Sequence, residues 1–131
     1  VLSEQELKLT KELDTYREIY GVWEKLDVAL VNIGNFPSVP DFASEARYGD
    51  LLIRHKAVGR ILNYFMDSEG HIIRSDTDYA IQIPLELLSR TRHVVGICSA
   101  NTSPKAFRGA LKTGYMKHFI APEHVVREAL E

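Results

Sequence analysis

The sequence predicts an α/β domain, a mainly parallel sheet flanked by helices and interrupted by a β-hairpin insertion. Three observations carry this expectation. Asp27-Val28-Ala29-Leu30-Val31-Asn32-Ile33-Gly34 is a short apolar, β-branched run closed by glycine, as in a central strand buried on both faces. Val94-Val95-Gly96-Ile97-Cys98-Ser99-Ala100-Asn101-Thr102-Ser103-Pro104-Lys105, running into Ala106-Phe107-Arg108-Gly109-Ala110-Leu111, reads as strand, small polar loop, helix. A further strand and helix follow, and successive βα units build parallel sheets with right-handed crossovers.

Taken in order, Ser3 with Glu6 three residues on is a capping-box pattern, so a helix starts there. Leu7, Leu9, Leu13, Tyr16, Ile19, Tyr20 and Trp23 recur at mostly helical spacing. They predict one or two helices over about residues 3–25, broken near Leu9–Lys11. Gly21 weakens this helix without ending it. The intervening charges, such as Glu4, Lys8, Glu12 and Arg17, form a solvated face. Tyr20 and Trp23 read as helix core. After the first strand, residues 35–44 hold Pro37, Ser38, Pro40 and Asp41 and form the longest loop. That loop leaves the carboxyl end of a parallel strand, where open α/β sheets place their ligands. Residues 45–56 read as helical. Residues 58–66 read as one strand, residues 67–70 as a turn with Asp67 and Glu69 as turn residues, and residues 71–73 as the returning strand. Ile81 to Ile83 is a candidate short strand, and Pro84 opens a short helix through Ser89. The pattern closes with strand 93–98, helix 103–112 ended by Gly114, strand 116–120 and a last helix from Pro122.

Bulk properties bound the function. The 131 residues support one domain with one core. A net charge of −2 argues against nucleic-acid binding by this segment itself. The lone Cys98 excludes an internal disulfide, fits a reducing compartment and reads as a small buried residue. No apolar run is long enough to span a membrane, and Val1-Leu2-Ser3-Glu4 does not begin a signal peptide. The first residue is not Met, which implies a trimmed or excised segment. The five histidines, His55, His71, His93, His118 and His124, are scattered over different elements and none are paired at metal-ligand spacing. No metal or cofactor is therefore expected. Ser99 lacks the flanking glycines of a hydrolase nucleophile elbow.

The last βα turn is the leading candidate site. Loop hydroxyls, the unpaired N–H groups of a helix start and Lys105 converge there, a setting that holds an anion well. The bland alternative is that every βα turn has this geometry and most bind nothing. Arg60 is the second candidate. A charged side chain in a mostly buried strand needs a partner or a ligand, unless that strand lies at an edge with Arg60 in solvent.

These motifs, in order, resemble the SorC family of sugar-responsive transcriptional regulators. Residues 27–34 resemble its "ADVALVGIG" strand. Ala57-Val58-Gly59-Arg60-Ile61-Leu62-Asn63-Tyr64-Phe65-Met66-Asp67-Ser68-Glu69-Gly70 resembles its "AVGDxxGxFFDxxG" hairpin. Residues 94–111 resemble its "VIGVAGGxxKxxAIxxAL" segment, and residues 114–130 its closing strand and helix.

The resemblance implies an isomerase/CoA-transferase-like (NagB/RpiA-like) effector domain of about twice this length. Residues 1–131 would be its C-terminal part, with the N-terminal half and a helix-turn-helix domain absent. It further implies a cytoplasmic sensor that binds a phosphorylated sugar or polyol without chemistry, contacts DNA only through the absent domain and acts as a homo-oligomer. Gly34 and Asn35 would border the ligand, Arg60 would add charge, and Asn101, Thr102, Ser103 and Lys105 would contact phosphate. Here the chain departs from the family pattern. Arg60 stands where the family usually carries a carboxylate, Ser99-Ala100 replace its Gly-Gly, and the family's loop lysine aligns with Ser103, two positions before Lys105. Two alternatives remain, a sugar-phosphate isomerase- or deaminase-like enzyme on the same fold and an oligomerisation module without ligand.

Overall fold

A computed structural model describes residues 3–38 and 42–131. Helix α1 (Glu4–Lys11) starts as the sequence predicts, with the Ser3 hydroxyl accepting from the Glu6 N–H at 3.1 Å. The break before α2 (Asp14–Glu24) falls at Glu12 and Leu13, slightly later than expected. No residue of either helix is fully buried, yet Tyr20 and Trp23 lean onto the main core. Strand β1 (Val28–Asn35) follows. Of the long loop, Pro40 and Asp41 lie outside the described residues. The helical stretch expected over 45–56 is present as two helices, α3 (Phe42–Tyr48) and α4 (Leu51–Arg54), parted at Gly49 and Asp50.

The insertion differs from expectation. Residues 58–66 are not one strand but two, β2 (Gly59–Ile61) and β3 (Tyr64–Met66), folded back at Leu62 and Asn63. With β4 (Ile72–Ile73) they form a three-strand antiparallel meander. Leu62 takes φ +52°, an unfavourable conformation for a branched side chain. Tertiary bonds hold it: Asn63 N–H donates to the Gln82 side chain at 3.0 Å, and Arg47 donates to the Asn63 carbonyl at 2.9 Å. Ile81 to Ile83 is irregular, not a strand. Ile83 is buried there and its carbonyl accepts from the Tyr64 hydroxyl at 2.6 Å, so it packs without joining a ladder.

Helix α5 (Leu85–Arg90), strand β5 (His93–Ile97), helix α6 (Pro104–Thr113), strand β6 (His118–Ile120) and helix α7 (Glu123–Leu130) complete the chain. Gly114 ends α6 in the left-handed region at φ +78°, a conformation glycine adopts without a Cβ penalty.

Among the described residues the sheet has six strands in the order β4-β3-β2-β1-β5-β6. Strands β1, β5 and β6 run parallel, and the meander continues the sheet in antiparallel fashion beyond β1. The α/β expectation holds, with a larger antiparallel part than a hairpin would give. Helices α5, α6 and α7 bury one face with Val31, Ile33, Val94, Leu88, Ala110 and Val125. Each large apolar side chain taken fully out of water there contributes about 2 kcal/mol. A smaller cluster of Tyr48, Leu52, Ala57, Phe65 and Ile73 covers the opposite face, over the meander alone.

Candidate functional site

The carboxyl ends of β1 and β5 lie side by side because the two strands pair in parallel from Val28↔His93 to Asn32↔Ile97. Asn35, the last residue of β1, reaches across to the turn that follows β5. Its side-chain Nδ2 donates to the Asn101 carbonyl at 2.7 Å, and its Oδ1 accepts from the Ser103 N–H at 2.7 Å. One partner only accepts and the other only donates, which fixes the orientation of the amide.

The turn is also tied to itself. The Thr102 hydroxyl, only 5% exposed, accepts from the Ser99 N–H at 2.8 Å, and the Ser99 hydroxyl accepts from the Asn101 N–H at 3.2 Å. Ser103 caps α6, its hydroxyl accepting from the Ala106 N–H at 3.0 Å. Lys105 is exposed in the first turn of α6, where no acidic residue stands. Cys98 is buried beneath the turn, and burial pushes its thiol pKa up.

Gly34 and Arg60 face each other in register across β1 and β2. The Arg60 side chain lies over Gly34, its Nε 3.1 Å from where a Cβ on Gly34 would stand. Strand β2 sits between β3 and β1, which rules out the edge-strand alternative for Arg60. The expected residues thus form two groups. Asn35, Asn101, Thr102 and Ser103 are joined by hydrogen bonds with Lys105 beside them, and Gly34 and Arg60 form a contact of their own.

Two features escaped the sequence. The first is a cavity of about 460 Å³ beside the carboxyl end of β1. Phe36, Leu52 and Phe65 supply its apolar lining, with Ser38, Glu45 and Asp50 as its polar part. The offset between α3 and α4 shapes it, and only Gly49 in the sequence hinted at that offset. The second is a contact between two of the histidines, which do lie on different elements as expected. The crossover from β5 to β6 brings His93 Nδ1 within 3.1 Å of His118 Nε2. No group of three or more His, Cys, Asp or Glu among the described residues could hold a metal ion.

Away from this end, a polar clip holds residues 75–80 against α3. Arg47 Nε lies 2.6 Å from Asp78 Oδ1, and the Tyr48 hydroxyl donates to Asp78 Oδ2 at 2.9 Å. Desolvation alone raises the Asp78 pKa, but the bonds from Arg47 and Tyr48 reverse this and leave it below the usual value. Burial and the neighbouring Asp78 charge push the Tyr48 pKa well up. No described helix is long and apolar enough to cross a membrane.

Residues 1–131 match the family model Sugar-bind, described as "Putative sugar-binding domain". The sorbitol operon regulator of Klebsiella pneumoniae is 32% identical over 108 residues, which is 77% of this chain and 34% of that protein. The crystal structure of the full-length sorbitol operon regulator SorC from Klebsiella pneumoniae superposes with a TM-score of 0.84 at 23% identity, covering 100% of this chain and 44% of that one. The structure of "a domain of a possible sugar-binding transcriptional regulator" from Arthrobacter aurescens gives 0.78 at 18% identity, covering 95% of this chain and 49% of that one. The chain therefore spans about a third of the curated regulator and a little under half of these two solved chains. At these identities the solved structures establish the fold. The curated relative and the first of these solved structures are described as sorbitol operon regulators, and the second as a sugar-binding transcriptional regulator. Matched along all 131 residues, this chain belongs to the family of sugar-binding domains that this model describes.

Proposed function

We propose that residues 1–131 are the C-terminal part of the effector domain of a cytoplasmic regulator, and that they bind a phosphorylated sugar or polyol where β1 and β5 end. The observation that carries this reading is the Asn35 bridge, which joins the two adjacent carboxyl ends in one rigid corner. Lys105 supplies positive charge at the start of α6, and the helix dipole adds to it. The next residue after Asn35, Phe36, lines the cavity. Its apolar lining suits the carbon chain of a polyol, and Glu45 and Asp50 suit hydroxyl donors rather than phosphate. DNA contact falls to a helix-turn-helix domain outside this chain, and homo-oligomer rearrangement transmits the signal.

The test is a thermal-shift and calorimetric titration of the full-length regulator with a panel of sugar phosphates and the matching free sugars. One phosphorylated ligand should stabilise the protein, and its free sugar should not. Lys105→Ala removes one charge-assisted contact of about 1.5–3 kcal/mol, a loss of tenfold or more in affinity. No shift with any member of the panel overturns the reading. One observation favours the oligomerisation module instead: Asn35 and Ser103 already engage two N–H groups at the start of α6. That module predicts self-association with no response to any sugar phosphate.

A further inference from the structure

We propose that His93 and His118 form a chelating site for a borderline divalent metal ion of the zinc class, at the amino end of the parallel strands and apart from the sugar site. This does not depend on which ligand the sugar site takes, or on whether it takes one.

The sheet builds the pair. Strands β5 and β6 run parallel in the register Val95↔His118, and His93 stands two residues before Val95. Both imidazoles therefore leave the same face, one strand apart. Backbone bonds fix both starting points. The His93 N–H donates to the Asp27 carbonyl at 2.9 Å, and the Lys117 N–H donates to the Val94 carbonyl at 2.8 Å. The Lys117 side chain adds a clamp, its Nζ donating to the Thr91 carbonyl at 2.7 Å. The segments that carry the two histidines are thus tied to each other independently of the rings, which is the preorganisation a chelate needs.

The separation is that of two donors on one metal. His93 Nδ1 lies 3.1 Å from His118 Nε2. Two metal–nitrogen bonds of about 2.05 Å spanning such a gap close at about 100°, near the tetrahedral angle that zinc takes. The rings stand 5.3 Å apart between centroids and tilt by 40°. They meet nitrogen to nitrogen, so without metal one nitrogen carries a proton and donates to the other. Turning the rings about χ2, a soft torsion, aims both lone pairs at a common point. Both residues are exposed, so that turn displaces water.

The donor set selects the ion. Neutral imidazole suits zinc, nickel and copper, whereas magnesium and calcium take oxygen. No third His, Cys, Asp or Glu joins the pair among the described residues, so water fills the remaining positions. His93 opens β5, and the turn gripped by Asn35 follows the other end of that strand, about 15 Å away. A bound ion cross-links the amino ends of β5 and β6 without touching the sugar site, and it stabilises the fold by mass action.

The experiment is calorimetry of the full-length regulator, stripped of metal with a chelator and titrated with zinc chloride. The expected dissociation constant is at most about 100 µM, with no response to magnesium chloride. His93→Gln and His118→Gln should each weaken zinc binding tenfold or more, and His124→Gln, at an exposed histidine on α7, should leave it unchanged. Melts without metal verify that the variants fold. Electron paramagnetic resonance with copper(II) as probe should show coupling to two imidazole nitrogens in wild type, and this signature should vanish in both variants. Absence of zinc binding, binding that survives either substitution, or saturation only above about 1 mM zinc overturns the proposal and leaves the pair as a hydrogen bond. Sugar phosphates are titrated into the same samples, and zinc binding without a sugar-phosphate response sinks the sensor reading while the metal site stands.

Discussion

Replacing Asn35 by alanine removes both bonds that tie the end of β1 to the turn before α6. The two losses are unequal. The Asn101 carbonyl is exposed and water replaces its donor, at a net cost of about 0.5 kcal/mol. The Ser103 N–H is partly buried and loses its acceptor, at about 1.5 kcal/mol. The sum is about 2 kcal/mol. For a domain of this size each kcal/mol moves Tm by about 3–4 °C, so Asn35→Ala should melt about 6–8 °C lower. Asn35→Asp separates structure from charge. It keeps an acceptor for Ser103, sets an oxygen against the Asn101 carbonyl and adds a negative charge beside Lys105. Its expected signature is a loss of sugar-phosphate affinity larger than its loss of stability explains. The assays are a thermal melt of each variant and a titration of each with the ligand that stabilises wild type. If Asn35→Ala melts within about 1 °C of wild type, the Ser99–Thr102 bonds alone hold the turn and the Asn35 bridge has no structural role.

Three further outcomes follow from the packing. Gly59→Ala sets a Cβ 2.7 Å from the Gly34 carbonyl oxygen and 2.8 Å from the Ala106 Cβ, neither of which is the end of a flexible side chain. Chemical denaturation should show a loss of about 3 kcal/mol, and a loss under 1 kcal/mol would refute this packing argument. Asp78→Asn leaves the Arg47 guanidinium without its counter-charge in a pair whose side chains are 16% and 17% exposed, at a cost of about 2–3 kcal/mol. Because the folded pKa of Asp78 is depressed, its contribution is complete above the unfolded carboxylate value of about 4 and is lost as pH falls through the folded value. Wild type should therefore lose more stability than Asp78→Asn between pH 5 and pH 2, as read from urea midpoints, and parallel curves would refute the assignment.

The sequence made the parallel half of this fold readable because its signals are local. Ser103, Pro104 and Gly114 mark the two ends of α6, Ser3 marks α1, and the glycine-closed run at residue 27 marks β1. The meander resisted reading for a physical reason. Its reversal sits on Leu62, a residue that turn chemistry disfavours, and bonds from Gln82 and Arg47 hold it there. Ile83 has the composition of a strand, but Tyr64 takes its carbonyl instead of a ladder partner. The site was half legible. A polar loop before a capped helix pointed to the last turn, yet nothing in the local pattern joined Asn35 to residues 66 and 68 positions away. The His93–His118 pair was hidden in the same way, since its members stand 25 positions apart in the sequence.

Strand β1 belongs to two ladders at once, and the seam between them falls after Asn32. On one side lies the parallel plate, on the other the antiparallel one, and among the described residues no other strand is common to both. Helix α6 lies across that seam as a brace. Ala106 packs on Gly59, the first residue of β2, and Gly109 on Val58 just before it, while the helix also packs on β1. The beginning of this brace is the same turn that Asn35 grips. Asn35 thus fastens the start of the brace to the end of the one strand that the two plates share, so the corner that closes the sheet at this end is also the anchor of the helix that spans it.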